Sequence, residues 1–240
     1  MNKIKTVIAA GGLGTRLQGF RGNESTKVLL EVDGLPMIVR QINQLLSWGM
    51  SEFIIITNPS FDNMIKDVMI QYFPEKNIKY TIQHEQRGIS HALLCADEYI
   101  DSGDTVLFIL GDNFFQNDPT ESINIDEVTN KSGAYIFSHK VDNPEEFGVA
   151  ELDAENNVVS IEEKPVNPKS NNAVVGVYIY DDTVMEKIKT LKPSARGEYE
   201  VTDLNNLYIE EGMCKNVTLR GWWIDAGTPE RIIELESKST

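Results

Sequence analysis

The chain has 240 residues, 41% hydrophobic and 25% charged, a composition that excludes disorder, collagen and coiled coil. At roughly 100–200 residues per domain it allows one large domain or two small ones. Thirty-seven acidic residues against 22 basic ones leave a net charge of −15. That balance excludes the basic stripe a nucleic-acid binder needs and repels anionic membranes, so a polyanionic ligand must meet a local cationic cluster or a metal ion. The two cysteines, Cys95 and Cys214, have neither disulfide-framework nor zinc spacing and read as small buried residues. No segment approaches the ~20 apolar residues of a membrane span. The first apolar run, Thr6–Ala10, is too short for a signal-peptide core, so a cytoplasmic location is expected.

In chain order, Thr6–Ala10 reads as a buried strand closed by Gly11 and Gly12. Pro36 opens a helix with apolar positions Ile38, Ile42, Leu45 and Leu46, which Gly49 closes. Phe53–Thr57 is an apolar strand, Asp62–Tyr72 a helix, Ile78–Ile82 a strand, Gly88–Tyr99 a helix and Thr105–Leu110 a buried strand. Continuous apolar runs separated by amphipathic helices indicate a parallel sheet covered on both faces. After residue 130 the strands dominate: Ala134–Lys140, Gly148–Leu152, Val158–Glu163 and Ala173–Tyr180. Helices follow near Asp182–Lys189 and Glu200–Glu211, then a strand at Cys214–Leu219 and a last helix from about Thr228. Trp48 and Met50 read as core. The expectation is one α/β domain over 1–240: a Rossmann-like, predominantly parallel mixed sheet with helices on both faces. Residues 1–130 would bind one ligand at the C-terminal strand edges, and 131–240 would complete the site.

The first strand runs into Gly11-Gly12-Leu13-Gly14-Thr15-Arg16-Leu17. A glycine-rich turn there lets backbone N–H groups approach phosphate oxygens. It is not a dinucleotide fingerprint, because Leu17 stands where the third glycine is needed. It is not a Walker A loop, because Phe20 stands where lysine is required. A glycine turn with no ligand is the plainer alternative; Arg16 beside it and Lys27 just beyond argue against that.

This stretch, with Lys27-x-Leu29-Leu30, resembles the signature of sugar-nucleotide pyrophosphorylases, nearest to the short form of the glucose-1-phosphate thymidylyltransferases. The similarity continues through Gln83 with Gly88, Leu110-Gly111-Asp112-Asn113, Glu145 to Val149, Glu162-Glu163-Lys164-Pro165, Pro193 to Glu198 and Trp223 to Thr228. The resemblance implies the nucleotide-diphospho-sugar transferase fold, with a nucleotide-binding half (1–130) and a sugar-phosphate-binding half (131–240). It implies a nucleoside triphosphate and a sugar 1-phosphate as partners, joined to an NDP-sugar with release of pyrophosphate, dTTP with glucose 1-phosphate first. CTP, UTP or GTP with another phosphorylated acceptor is the alternative. Such chemistry is mostly positioning and charge neutralisation.

The resemblance also implies the site. Ala10, Gly11, Gly12, Gly14, Thr15, Arg16, Lys27, Gln83, Gly88 and Asp112 would contact the nucleotide. Gly148, Glu163, Lys164, Val174, Tyr178, Arg196 and Glu198 would contact the sugar phosphate. Arg16, Lys27, Asp112 and Lys164 would carry catalysis, and Asp112 with Asp225 would hold Mg²⁺. Bland alternatives stand beside several of these. Asp112 could cap a turn, Val174 and Tyr178 could simply pack, and Glu198 and Glu200 could be helix N-terminal acids. His84, His91 and His139 form no ligand spacing and receive no role.

The chain departs from the family pattern at Glu31 and Leu35, where proline and lysine are usual, and in the polar span Gln18 to Thr26, which makes Arg21 a further candidate phosphate contact. It stops soon after the closing motif, without the family's C-terminal helical extension. A monomer or homodimer without that form of feedback is therefore expected. A glycosyltransferase is disfavoured by the lack of an Asp-x-Asp pair, a reductase by the failed dinucleotide fingerprint, and a non-catalytic sensor by the retention of Arg16, Lys27 and both carboxylates.

Overall fold

The computed structural model describes residues 4–22, 26–124, 128–129 and 132–238. Positions 23–25 of the polar span and the 130/131 boundary between the two halves lie outside the described residues.

A nine-stranded sheet runs through the molecule. Four parallel strands form its first part in the order β6 (Thr105–Leu110), β1 (Ile4–Ala9), β4 (Phe53–Thr57) and β5 (Ile78–Ile82). Their apolar runs are continuous because both faces are covered. Ile8 and Ile55 face α1 (Met37–Ser47) and α2 (Asp62–Tyr72), packing with Ile38, Ile42, Leu45 and Ile65. Val7, Ile54 and Ile56 point to the other face, against Leu93 of α3 (Ile89–Leu94), Met185 and Ile188 of α4 (Val184–Thr190) and Leu204 of α5 (Val201–Glu210). The alternation is the two-residue strand period read out as two core layers.

A short hairpin, β2 (Glu31–Val32) with β3 (Leu35–Pro36), precedes α1. Pro36 stands in β3, extended, so the helix begins one residue later, at Met37. The predicted helix over Gly88–Tyr99 is broken. α3 stops at Leu94, and a separate 3₁₀ turn covers Asp97–Tyr99. The reason is tertiary: the Thr81 hydroxyl donates to the Cys95 carbonyl at 2.7 Å, while the Tyr99 N–H bonds Ala96. Cys95 and Cys214 are half-buried instead of fully buried, and both are free thiols.

The second part of the sheet joins through β11 (Asn172–Tyr180), antiparallel to β6. One edge of β11 carries β8 (Ala134–Lys140), which pairs in parallel with β12 (Cys214–Thr218). Along its other edge, Val177–Tyr180 pair with β6, whereas Ala173 pairs with Val149 of β9 (Gly148–Leu152). β10 (Val158–Glu163) completes the sheet beside β9. Between β6 and β9 the edge of β11 is left open over residues 174–176. A ribbon of β7 (Asn113–Phe115) and β13 (Trp223–Asp225) lies over this opening. α6 (Pro229–Lys238) packs Ile232 and Leu235 against Phe114, Ile224 and Leu17. Among the described residues no helix is long and apolar enough to cross a membrane.

Candidate active site

The opening is a cavity of ≈ 850 Å³, walled by the ends of β1, β5 and β6 on one side and by β9, β10 and β11 on the other. The glycine turn forms one end. Gly14 is left-handed, φ 62°, and a Cβ there would lie 2.8 Å from Lys27 Cβ, so only glycine lets the turn close on that lysine. Asn58 and Gln86 side chains donate to the Gly11 carbonyl at 2.8 and 3.1 Å and fix the turn from outside.

Lys27 reaches across to Asp112 and forms an ion pair with it. Burial opposes the charge on both partners, yet mutual attraction wins: the Asp112 carboxyl is held below its ordinary range and the Lys27 ammonium above it. Asp225 belongs to the same group. A methyl built on Gly227 would lie 2.9 Å from Asp225 Oδ1 and 3.7 Å from both Asp112 Oδ2 and Arg16 Nη2. Two carboxylates and a guanidinium therefore surround one small cradle, kept open by glycine. Burial first, and the Asp112 charge second, push the Asp225 carboxyl up to about 6. Two hard oxygen donors that are short of positive charge suit a divalent cation.

Asn113 orients this group, a role the sequence did not signal. It donates to Asp112 Oδ1 at 3.1 Å and accepts from the Gly176 N–H at 3.1 Å and from Trp223 Nε1 at 2.7 Å. Gly176 is required, because a Cβ there would meet the Asn113 amide at 2.7 Å. Asn113→Ala removes three hydrogen bonds and strands two buried donors. It should cost about 2–4 kcal/mol of stability in a denaturant titration and lower turnover besides.

The other end of the cavity carries Gly148, Glu163, Lys164, Val174, Tyr178 and Glu198. Glu163 accepts from the Thr202 hydroxyl at 2.8 Å through one oxygen, and its other oxygen lies 3.6 Å from Arg196 Nη2. Tyr178 is nearly fully buried and stacks between Phe108 and Tyr180, so only its edge reaches the wall. Lys164 adopts φ 45°, an unusual strain for a lysine. Among the described residues neither Arg16 nor Lys164 forms an ion pair, although acids outnumber bases in this protein. Arg16 follows β1 and Lys164 follows β10, on the two sides of the cavity. Lys164→Gly relieves the left-handed strain, whereas Lys164→Ala keeps it. Glycine should therefore give the more stable variant, by about 1 kcal/mol in thermal melts, with turnover equally lost in both.

Four predicted contacts lie outside the wall. Ala10 is fully buried, and its N–H donates to Ile56. Gly14 and Thr15 shape the turn from behind. Arg196 turns to Glu200, at 2.8 Å, with Glu163 and Glu198 each 3.6 Å away. Arg21 also points elsewhere, in a bidentate pair with Glu236 of α6 at 2.6 and 2.9 Å. The wall also includes Gln86, Thr202 and Asn205, which carried no sequence signal of their own, and Trp223, which opens the closing motif.

A mixed sheet opened at the β6–β9 gap, with the glycine turn on one side of the opening, is the nucleotide-diphospho-sugar transferase type of fold. The chain belongs to the nucleotidyl transferase family, whose profile matches residues 5–240. It is 38% identical over 240 residues to the glucose-1-phosphate thymidylyltransferase of Neisseria meningitidis, covering 98% of this chain and 82% of that one. It is 37% identical over 237 residues to the enzyme of the same name from Mycobacterium tuberculosis, covering 96% and 80%. Among solved structures it superposes at a TM-score of 0.88, with 36% identity and coverage of 98% and 95%, on a Bacillus anthracis protein provisionally assigned as a glucose-1-phosphate thymidylyltransferase, in complex with sucrose. A UDP-glucose pyrophosphorylase bound to UDP-glucose shares the fold at a TM-score of 0.81 with 21% identity, covering 100% of this chain and 98% of that one.

Proposed function

We propose that this protein joins a nucleoside triphosphate to a sugar 1-phosphate, with dTTP and glucose 1-phosphate as the pair. A phosphate oxygen of the sugar 1-phosphate attacks the α-phosphorus. The bond to the β-phosphate oxygen breaks, and pyrophosphate leaves with that electron pair. The observation that carries the reading is the division of one cavity: Arg16, Lys27 and two carboxylates at the glycine-turn end, and Glu163 with Lys164 at the other.

Each side chain has a role fitted to its place. Arg16 and Lys27 hold the triphosphate oxygens and neutralise the leaving pyrophosphate. Lys164 holds the acceptor phosphate in line, and Glu163 accepts from a sugar hydroxyl. Asp112 and Asp225 are the carboxylates that would hold Mg²⁺, which when bound supplies Lewis-acid neutralisation at the α-phosphate. Bringing two anions together in a −15 protein is the main barrier, and these few placed cations lower it. The relatives named glucose-1-phosphate thymidylyltransferase support the choice of substrates.

Pyrophosphate release is the test, with Mg²⁺ and dTTP, UTP, CTP, GTP or ATP crossed against glucose 1-phosphate and other sugar 1-phosphates. The strongest signal is expected for dTTP with glucose 1-phosphate. A stronger signal in another pair replaces the substrates and keeps the reaction. Silence across the grid would overturn the reaction.

A further inference from the structure

Gln83 follows β5, and its N–H donates to the Thr57 carbonyl at 2.9 Å, which places its side chain in the cavity wall behind the glycine turn. The side-chain amide is almost fully buried. Its Nε2 donates to the Gly88 carbonyl at 3.3 Å and lies 3.3 Å from His91 Nδ1. A carbonyl can only accept, so Gly88 fixes which end of the amide is nitrogen. The second N–H of that nitrogen then needs an acceptor, and His91 supplies one if Nδ1 carries its lone pair and the proton sits on Nε2.

The surroundings of His91 favour that form. Its ring stacks on Tyr199, centroids 6.2 Å apart at 24°. Arg87 lies over the other ring system: its guanidinium is 5.0 Å from the Tyr199 centroid, and its Nη2 donates to the Tyr199 hydroxyl at 3.1 Å. Burial first and Arg87 second hold the imidazole below its ordinary range, against the opposing charge of Glu85. This environment favours the uncharged ring.

With both N–H groups taken, the remaining part of the amide is Oε1. It sits 3.3 Å from the place of a Cβ on Gly11, at the glycine turn, where no protein donor among the described residues reaches it. Reversing the amide would set this oxygen against the Gly88 carbonyl and the His91 lone pair. Each such lost bond in a buried setting costs about 1–3 kcal/mol.

We propose that His91 is a positioning residue that commits Gln83 to present an acceptor, so that the base site takes a pyrimidine carrying an imino N–H, of the uracil or thymine kind, and rejects the cytosine kind. It deepens the proposed function, resting on that reading only in placing the base at the glycine-turn end. Uracil and thymine offer N3–H to Oε1. Cytosine offers a bare N3, and two lone pairs would then face each other.

Calorimetric binding of UTP and CTP, without acceptor, tests this in the wild-type chain, His91→Phe and His91→Gln. The two nucleotides differ only at position 4 and in the N3 proton that follows from it. The wild type should bind UTP about tenfold tighter than CTP, the effect of roughly one lost hydrogen bond. His91→Phe keeps a ring on Tyr199 but removes the acceptor, and its preference should fall to about threefold or less. His91→Gln can turn its own oxygen to Gln83 and should restore the preference. A His91→Phe variant as selective as the wild type overturns the proposal. So does a wild type that prefers CTP, or a His91→Gln as unselective as His91→Phe. Selectivity is a ratio within each variant, so a general loss of stability does not imitate it. No turnover is read, so a missing reaction, which would overturn the proposed function, does not enter this result.

Discussion

Asp112→Asn is expected to lower kcat about a thousandfold while the protein keeps its fold. The size follows from the charge it removes. On the proposed function this carboxylate would hold a divalent cation and position Lys27, a role that supports about 4 kcal/mol of transition-state stabilisation, and each tenfold in rate is ~1.4 kcal/mol. The fold survives because the lost ion pair has a substitute. Lys27 still has the negative charge of Asp225 nearby, one of the charges that already raise its ammonium. The Asp112–Asp225 repulsion disappears with the mutation, which offsets part of the lost pair. Stability should therefore fall by less than the about 3–5 kcal/mol that losing one partner of a buried pair usually costs. The KM for the sugar 1-phosphate should barely move, since Glu163 and Lys164 sit at the other end of the cavity. Steady-state kinetics beside circular dichroism separate the outcomes. Near-wild-type kcat in a folded variant would remove Asp112 from the reaction.

The parallel half was legible in the sequence for a specific reason. β1, β4 and β6 are buried on both faces, so their apolar runs are unbroken and bounded by polar turns. The Thr105–Leu110, Phe53–Thr57 and Ile78–Ile82 strands stand where those runs predict them. What stayed hidden depends on contacts across the chain. The break after Leu94 comes from a hydroxyl on β5, and nothing in the local pattern of α3 announces it. β7 and β13 are three residues each, too short to show a two-residue period, and pair across 110 positions.

The site divides in the same way. The glycine turn reads directly as an anion cradle, and the sign of the net charge says that cations near it matter. Residue spacing alone could not join Asp112 to Asp225. That link came through the family resemblance, and the geometry brings the two to one cradle beside Gly227. The orienting role of Asn113 and any role for His91 carried no signal, since an asparagine after a strand and a lone helix histidine are common. Their partners, Trp223 and Gln83, become neighbours only once the ribbon and α3 are in position. Arg21 shows the opposite error. Closeness to the glycine turn in sequence made it a phosphate candidate, and the fold turns it to Glu236 instead.

Asp225→Asn should abolish turnover and at the same time stabilise the metal-free protein. Its carboxyl is raised to about 6, by burial and by Asp112, above the ~3.9 of an unfolded aspartate. The folded state thus holds a proton that the unfolded state has already released between those two values. By linkage, stability falls as pH rises through that window, and the loss is complete above about pH 6–7. Its size is on the order of 1–3 kcal/mol. Asp112 works in the other direction but in a lower window, because its carboxyl is held down and is already ionised throughout this range. Asparagine carries no charge at any of these pH values. With chelator present, the wild type should lose stability in urea titrations between pH 4 and pH 7, and Asp225→Asn should not, ending more stable at pH 7.5. Adding Mg²⁺ should raise the wild-type midpoint and leave the variant's unchanged, because a ligand stabilises only the state that binds it. Equal pH slopes in the two proteins would mean that Asp225 is ionised at ordinary values. The charge-poor cradle would then not be the reason that a buried and a half-buried carboxylate stand together here. A trade of stability for function at this one residue is the physical signature of a site shaped for a cation.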